Sequence, residues 1–259
     1  MIPYIVADTQ AYGVVFKPPR MHSVPLNPRT QEAGRKTRKN FAKKEENAEN
    51  RKIFGEKKEK TLLDWCAEFF PSAEAVRGDA PWEGGMAHRL DYETQGLLVY
   101  AKTQAGFDAL KAQQSAGRFV KAYDAAAFSG KLLPGFPVPP ECGDPPFRVE
   151  SGFRAFGPGR RAVRPVLRAE KRYSTEILGK RTAGERSIFR LRLFRGFRHQ
   201  IRCHLAWIGY PLANDPLYGG GFDADALGGG FLGLIAWGLS FFDPISGEPR
   251  RYTVRGIEY

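Results

Sequence analysis

The 259-residue sequence has only three cysteines, Cys66, Cys142 and Cys203. So sparse and odd a set excludes a disulfide framework and points to a reducing setting, the cytoplasm. No Cys-x-x-Cys pair occurs, and His199, Cys203 and His204 are too bunched for a structural zinc site. No run approaches the ~18 apolar residues of a membrane helix. Met1-Ile2-Pro3-Tyr4 lacks the charged and apolar regions of a signal peptide, so neither a membrane nor a secretory route is expected. Phosphate-loop chemistry is missing as well, because Gly219-Gly220-Gly221-Phe222 is not followed by Lys-Ser/Thr. A Gly-x-Ser-x-Gly nucleophile elbow is also absent. No metal and no organic cofactor is expected.

What is abundant is positive charge. Forty Lys and Arg against 28 Asp and Glu leave +12, with an isoelectric point near 9.7. Such a balance suits a polyanionic partner, nucleic acid first. Half of the excess sits in residues 27–60, which carry 12 basic and 6 acidic residues and almost no large apolar ones. That stretch cannot bury a core and reads as a charged linker or an inserted helical segment.

Elsewhere the pattern mixes strands and helices. Residues 4–16 read as strand, turn and strand, and residues 61–70 as a helix with Thr61 as N-cap and Pro71 as stop. Residues 96–101 suit a buried strand, a helix follows Thr103, and residues 118–128 form another strand. Residues 131–168 hold eight of the 19 prolines and read as a long surface excursion ending in Arg160, Arg161, Arg164 and Arg168. Residues 187–195 alternate, with Arg190 and Arg192 on a basic outer face. A helix with an Ile201, Leu205, Ile208 stripe runs from His199 to Ile208. A Gly-rich, mobile loop over 219–233 and a strand over 231–242 follow. The class is α+β.

Chemistry concentrates in His88-Arg89-Leu90-Asp91-Tyr92-Glu93-Thr94-Gln95-Gly96-Leu97-Leu98. Asp91 there lies between a polar turn and a buried strand. A capping aspartate beside a surface arginine is the plain alternative.

This segment resembles the His-Arg-Leu-Asp-x-x-Thr-Ser-Gly-Leu-Leu motif of the RluA-type RNA pseudouridine synthases. Lys121-Ala122-Tyr123 resembles that family's Lys-x-Tyr. The stretch Gly196-Phe197-Arg198-His199-Gln200-Ile201-Arg202-Cys203-His204-Leu205, continued by Asp215-Pro216-Leu217-Tyr218-Gly219, resembles its Gly-Arg-x-His-Gln-Ile-Arg-x-His-Leu region. Val14-Val15-Phe16-Lys17-Pro18 and the strand from Leu234 to Ala236 extend the match, in order, over most of the chain.

The resemblance implies a pseudouridine-synthase fold: a mixed, mainly antiparallel central sheet with helices and loops around a cleft. It implies one catalytic domain over 1–259, with no room for a complete S4 domain. It implies isomerisation of specific uridines in ribosomal or transfer RNA without cofactor. No obligatory protein partner is evident, and a monomer is the default expectation. Asp91 matches the catalytic aspartate. Arg202 matches its arginine partner, which would orient the carboxylate and favour its charge. Tyr123 matches the tyrosine beside the uracil ring. RNA contacts are expected from His88, Arg89, Thr94, His199, Gln200, Arg190 and Arg192, with Arg89 filling the space left by a flipped base.

Gln95, Phe197, Arg198 and Ile235 depart from the family's usual Ser, Arg, Thr or Lys, and His. Those departures fall where substrate contacts are expected. They motivate a second reading, a non-catalytic RNA-binding or RNA-folding protein. A third, a metal-dependent phosphatase, rests on the faint echo of Asp-x-Asp-x-Thr in Asp91-x-Glu93-Thr94.

Overall fold

The computed structural model describes residues 1–26, 60–71, 75–227 and 229–254. Most of the charged 27–60 segment lies outside these residues. Ten strands and three α-helices make the described fold. In chain order they are β1 (Tyr4–Asp8), β2 (Tyr12–Lys17), α1 (Leu62–Phe69), β3 (Gln95–Ala101), α2 (Gln104–Ser115), β4 (Val120–Phe128) and β5 (Phe147–Phe156). Then come β6 (Ala162–Val166), β7 (Tyr173–Ala183), β8 (Arg186–Leu193), α3 (Gln200–Trp207), β9 (Leu234–Phe242) and β10 (Pro249–Thr253).

The strands join in the order β1-β2-β3-β9-β4-β8-β7-β5-β6, with β10 pairing β9 off this path. All pairings are antiparallel except β3 with β9, where Gln95 and Gly96 oppose Ile235 and Ala236. Gly96 makes that junction possible: its φ is +133°, and a Cβ there would lie 2.3 Å from the Ala236 carbonyl oxygen. The buried Gln95 side chain adds a bond from Nε2 to the Leu227 carbonyl, 2.8 Å, tying the strand entry to the Gly-rich loop.

Local signals explain several elements. Thr61 caps α1 in a reciprocal box: its Oγ1 accepts from the Asp64 amide, and Asp64 Oδ2 accepts from the Thr61 amide. Every residue of β3 is buried, as its apolar run requires of an interior strand. Helix α3 is buried on all sides rather than along one stripe, so its polar residues need dedicated partners.

Three expectations are corrected. The 131–168 stretch is not all surface excursion, since β5 and β6 lie within it and pair antiparallel. Pro165, which lacks an N–H, is tolerated because β6 is the last strand of the sheet. The 219–233 loop is anchored: Asn214 Nδ2 donates to the carbonyls of Asp223 and Phe231, both at 2.7 Å, and its Oδ1 accepts from the Asp223 amide. The strand after it starts at Leu234, not Phe231.

Candidate active site

Asp91 opens the turn into β3, and its carbonyl accepts from the Thr94 amide. Two groups from the N-terminal segment hold this turn. Ser23 Oγ accepts from the Leu90 amide and donates to the Leu90 carbonyl. The buried Lys17 ammonium donates to the carbonyls of Pro18, Met21 and Tyr92 at 2.9, 2.8 and 3.2 Å. Burial pulls Lys17 down to about 7, against the opposing charges of Asp91 and Glu93.

Beneath Asp91 lies Arg202 of α3. Its Nε and Nη2 each donate to a carboxylate oxygen of Asp215 at 2.8 Å, and its Nη1 reaches Asp91 Oδ2 at 3.4 Å. The resemblance pairs Arg202 with Asp91, but the shorter, bidentate partner is Asp215. Asp215 is buried and also accepts from the amides of Leu217 and Tyr218. The ion pair therefore has its remaining lone pairs satisfied, the condition under which a buried pair is tolerated. Those bonds raise Arg202 above its ordinary value despite the cost of burial. The guanidinium is held from below and presents its one remaining edge to Asp91, whose side chain is 23% exposed against 3% for Arg202.

Two more groups surround the carboxylate. His199 Nε2 is 4.0 Å from Asp91 Oδ2. Burial, with Arg202 and Arg198 adding to it and Asp91 opposing, pulls His199 down to about 4, so the imidazole is neutral near pH 7. His199 adopts a left-handed conformation, φ 55°, at the start of α3. Such backbone in a non-glycine residue is costly and draws attention to the turn. Tyr123 of β4 is buried, and burial together with the Asp91 charge pushes its phenol upward. It is a neutral ring beside the carboxylate, not a phenolate base.

The other expected site residues are dispersed. Arg89 is exposed and paired to Glu83 at 2.6 Å. The His88 ring nitrogens are buried without a hydrogen-bond partner among the described residues, and burial pushes this imidazole well below its usual value. Thr94 is buried and its hydroxyl has no partner among the described residues. Gln200 is buried and structural: its Nε2 donates to the Ser174 carbonyl and Thr175 Oγ1, and its Oε1 accepts from the Phe197 amide. Arg190 and Arg192 do not form a free basic face. Arg190 forks onto Asp124 and lies 5.1 Å from the Trp237 ring centre, and Arg192 pairs with Glu176 at 2.6 Å. Sequence reading assigned no role to Asp215 or Lys17. The available signal for Asp215 was the demand of a helix arginine for an acceptor.

Residues 11–207 match the model of the RNA pseudouridylate synthase family, and the chain belongs to that family. Among similar proteins, the ribosomal large subunit pseudouridine synthase D of Nitrosomonas europaea is 35% identical over 73% of this chain and 51% of the relative. The enzyme of the same name from Xanthomonas campestris pv. campestris is 33% identical over 64% of this chain and 50% of its own. An uncharacterized RNA pseudouridine synthase of Chloroflexus aurantiacus is 36% identical over 52% and 39%. The chain spans about half the length, or less, of these curated relatives. The solved structure of human RNA pseudouridylate synthase domain containing 1 has a TM-score of 0.57 at 18% identity, covering 98% of this chain and 83% of that one. That likeness confirms the α+β fold. No helix among the described residues is long and apolar enough to cross a membrane.

Proposed function

We propose that the chain is an RNA pseudouridine synthase acting as a single catalytic unit in the cytoplasm, with Asp91 as its catalytic residue. The observation that carries this reading is one partly exposed carboxylate set on a buried guanidinium and flanked by a neutral imidazole and a neutral phenol. The reaction breaks the N1–C1′ bond of uridine, turns the base and joins C5 to C1′. The C5 proton leaves and N1 gains one, so nothing is gained or lost overall.

Asp91 faces C1′ as the glycosidic bond opens. Nucleophilic attack and charge stabilisation both use its carboxylate. Arg202 positions it, and Asp215 positions Arg202. Tyr123 offers its ring face to the uracil, and its raised phenol acts as a hydrogen-bonding and stacking group near neutral pH. Large-subunit ribosomal RNA is the proposed substrate, supported by the names of the relatives.

Tritium release from RNA labelled at uridine C5 tests the reading. Total RNA from cells lacking their own pseudouridines is the substrate, EDTA is present, and Asp91→Asn runs beside wild type. Release by wild type alone is expected. Salt-sensitive binding without release would overturn the synthase in favour of a non-catalytic RNA-binding protein.

A further inference from the structure

The turn between β8 and α3 departs from the family pattern at Phe197 and Arg198, and the fold builds something around that departure. Phe197 is 37% exposed. A single exposed phenyl needs no explanation by itself, but this one is fixed. Its amide donates to Gln200 Oε1 at 3.0 Å, and Gln200 is in turn bonded to Ser174 and Thr175 of β7. Its ring lies parallel to Phe153, with centres 4.9 Å apart and planes within 7°, and 5.0 Å from Tyr173. Three rings from β5, β7 and the turn thus form one rigid aromatic group.

Several cations around this group lack a carboxylate, although Arg172 beside Tyr173 is paired to Glu150. Arg195 and Arg198 on the turn and Lys171 near the Tyr173 ring have no carboxylate partner among the described residues. The guanidiniums of Arg195 and Arg198 rest on the carbonyls of Ser115 and Arg161, which set their direction without neutralising them. Beside Arg195 and Tyr173 opens a surface depression of about 410 Å³, lined also by Arg172, Ser174 and Phe194. An aromatic face among unneutralised arginines is the arrangement that binds unpaired bases and their phosphates. The place is also right: His199, two residues on, stands 4.0 Å from Asp91. Two residues span at most ~7 Å of chain.

We propose that Phe197, backed by Phe153 and Tyr173, is a stacking surface for an unpaired nucleobase flanking the target uridine, with Arg195 and Arg198 on its phosphates. This rests on the synthase reading for the identity of the target, and extends it to how the neighbouring nucleotide is held. Stacking is tolerant of base identity, so the surface selects for an unpaired neighbour rather than for a letter.

The test uses the full chain and a single-stranded 12-mer oligocytidylate carrying one central uridine and one 2-aminopurine, placed in turn at each other position. Wild type should quench the fluorescence at a restricted set of positions. Phe197→Leu keeps an apolar side chain but removes the ring; it should abolish the quench and weaken affinity roughly ten-fold. Phe197→Tyr should restore both. On C5-tritiated RNA, Phe197→Leu should raise KM while leaving kcat within two-fold or so of wild type. Thermal melts of both variants check that the fold is kept. Quench and affinity unchanged in Phe197→Leu, with wild type releasing tritium, would overturn the stacking surface and leave the synthase standing. A Phe197-dependent quench without tritium release would overturn the synthase and leave the stacking surface.

Discussion

Arg202 and Arg198 are four residues apart in sequence and opposite in circumstance. Arg202 is buried in α3, with both oxygens of Asp215 on one side and Asp91 on the other. Arg198 is exposed on the turn, resting on a backbone carbonyl and paired to no carboxylate among the described residues. A buried guanidinium survives only with its charge matched, and once matched it becomes a rigid positioning element. An exposed guanidinium left unmatched retains its attraction for an anion outside the protein. On the reading proposed above, the first kind of arginine aims chemistry and the second recruits substrate.

The sharpest way to break the comparison is at the buried end. Asp91→Asn should lower tritium release by on the order of 10³-fold or more while leaving the melting temperature near wild type, because Asp91 is only the outer partner of Arg202. Asp215→Ala should be different in kind. It leaves a buried guanidinium without its main acceptor and should cost about 3–5 kcal/mol of stability, read by urea unfolding. The double variant Arg202→Met with Asp215→Leu should recover much of that stability and none of the activity. Recovery of activity would show that the pair does not position Asp91.

The interior of α3 supplies a pH test. His204 is buried between Ser151 and Thr175, which bond Nε2 and Nδ1 at 3.0 and 2.8 Å, and burial pulls it down to about 3. The unfolded chain therefore takes up a proton near pH 6.5 that the folded chain refuses until about pH 3. Stability must fall as pH drops through that window. From pH 7 to pH 4.5 the contribution of this one group is about 2–3 kcal/mol. Urea midpoints at the two pH values should differ by less in His204→Asn than in wild type.

How far the sequence could be read follows the same division between local and distant partners. The box capping α1 lies within four residues, and the run that makes β3 within seven, so both were legible. The β5–β6 pair was not: its prolines and arginines look like loop, and only the edge position explains Pro165. Motifs single out Asp91, Tyr123 and Arg202, and the structure sets Arg202 3.4 Å from Asp91. Gln200 is expected to touch RNA, but its side chain is buried and bonded to β7, a strand 25 residues away in sequence, which no spacing shows. The primary partner of Arg202 was missed because nothing in the spacing shows that α3 is buried on every side. Arg190 and Arg192 alternate as an outward face should, but register sets Asp124 opposite the first and Glu176 opposite the second.

That register gives the smallest and most discriminating prediction. If unmatched arginines bind phosphate and matched ones do not, the salt dependence of RNA binding will separate them. The slope of log affinity against log salt, measured from about 50 to 300 mM KCl on single-stranded RNA, should flatten by about 0.7 for each phosphate contact removed. Arg195→Ala and Arg198→Ala should each show that flattening. Arg190→Ala and Arg192→Ala should leave the slope unchanged, and should instead cost up to about 1 kcal/mol of stability through their half-exposed ion pairs. Equal slopes for all four variants would mean that charge is read from the sheet as a whole, and the distinction between positioning and recruiting arginines would fail.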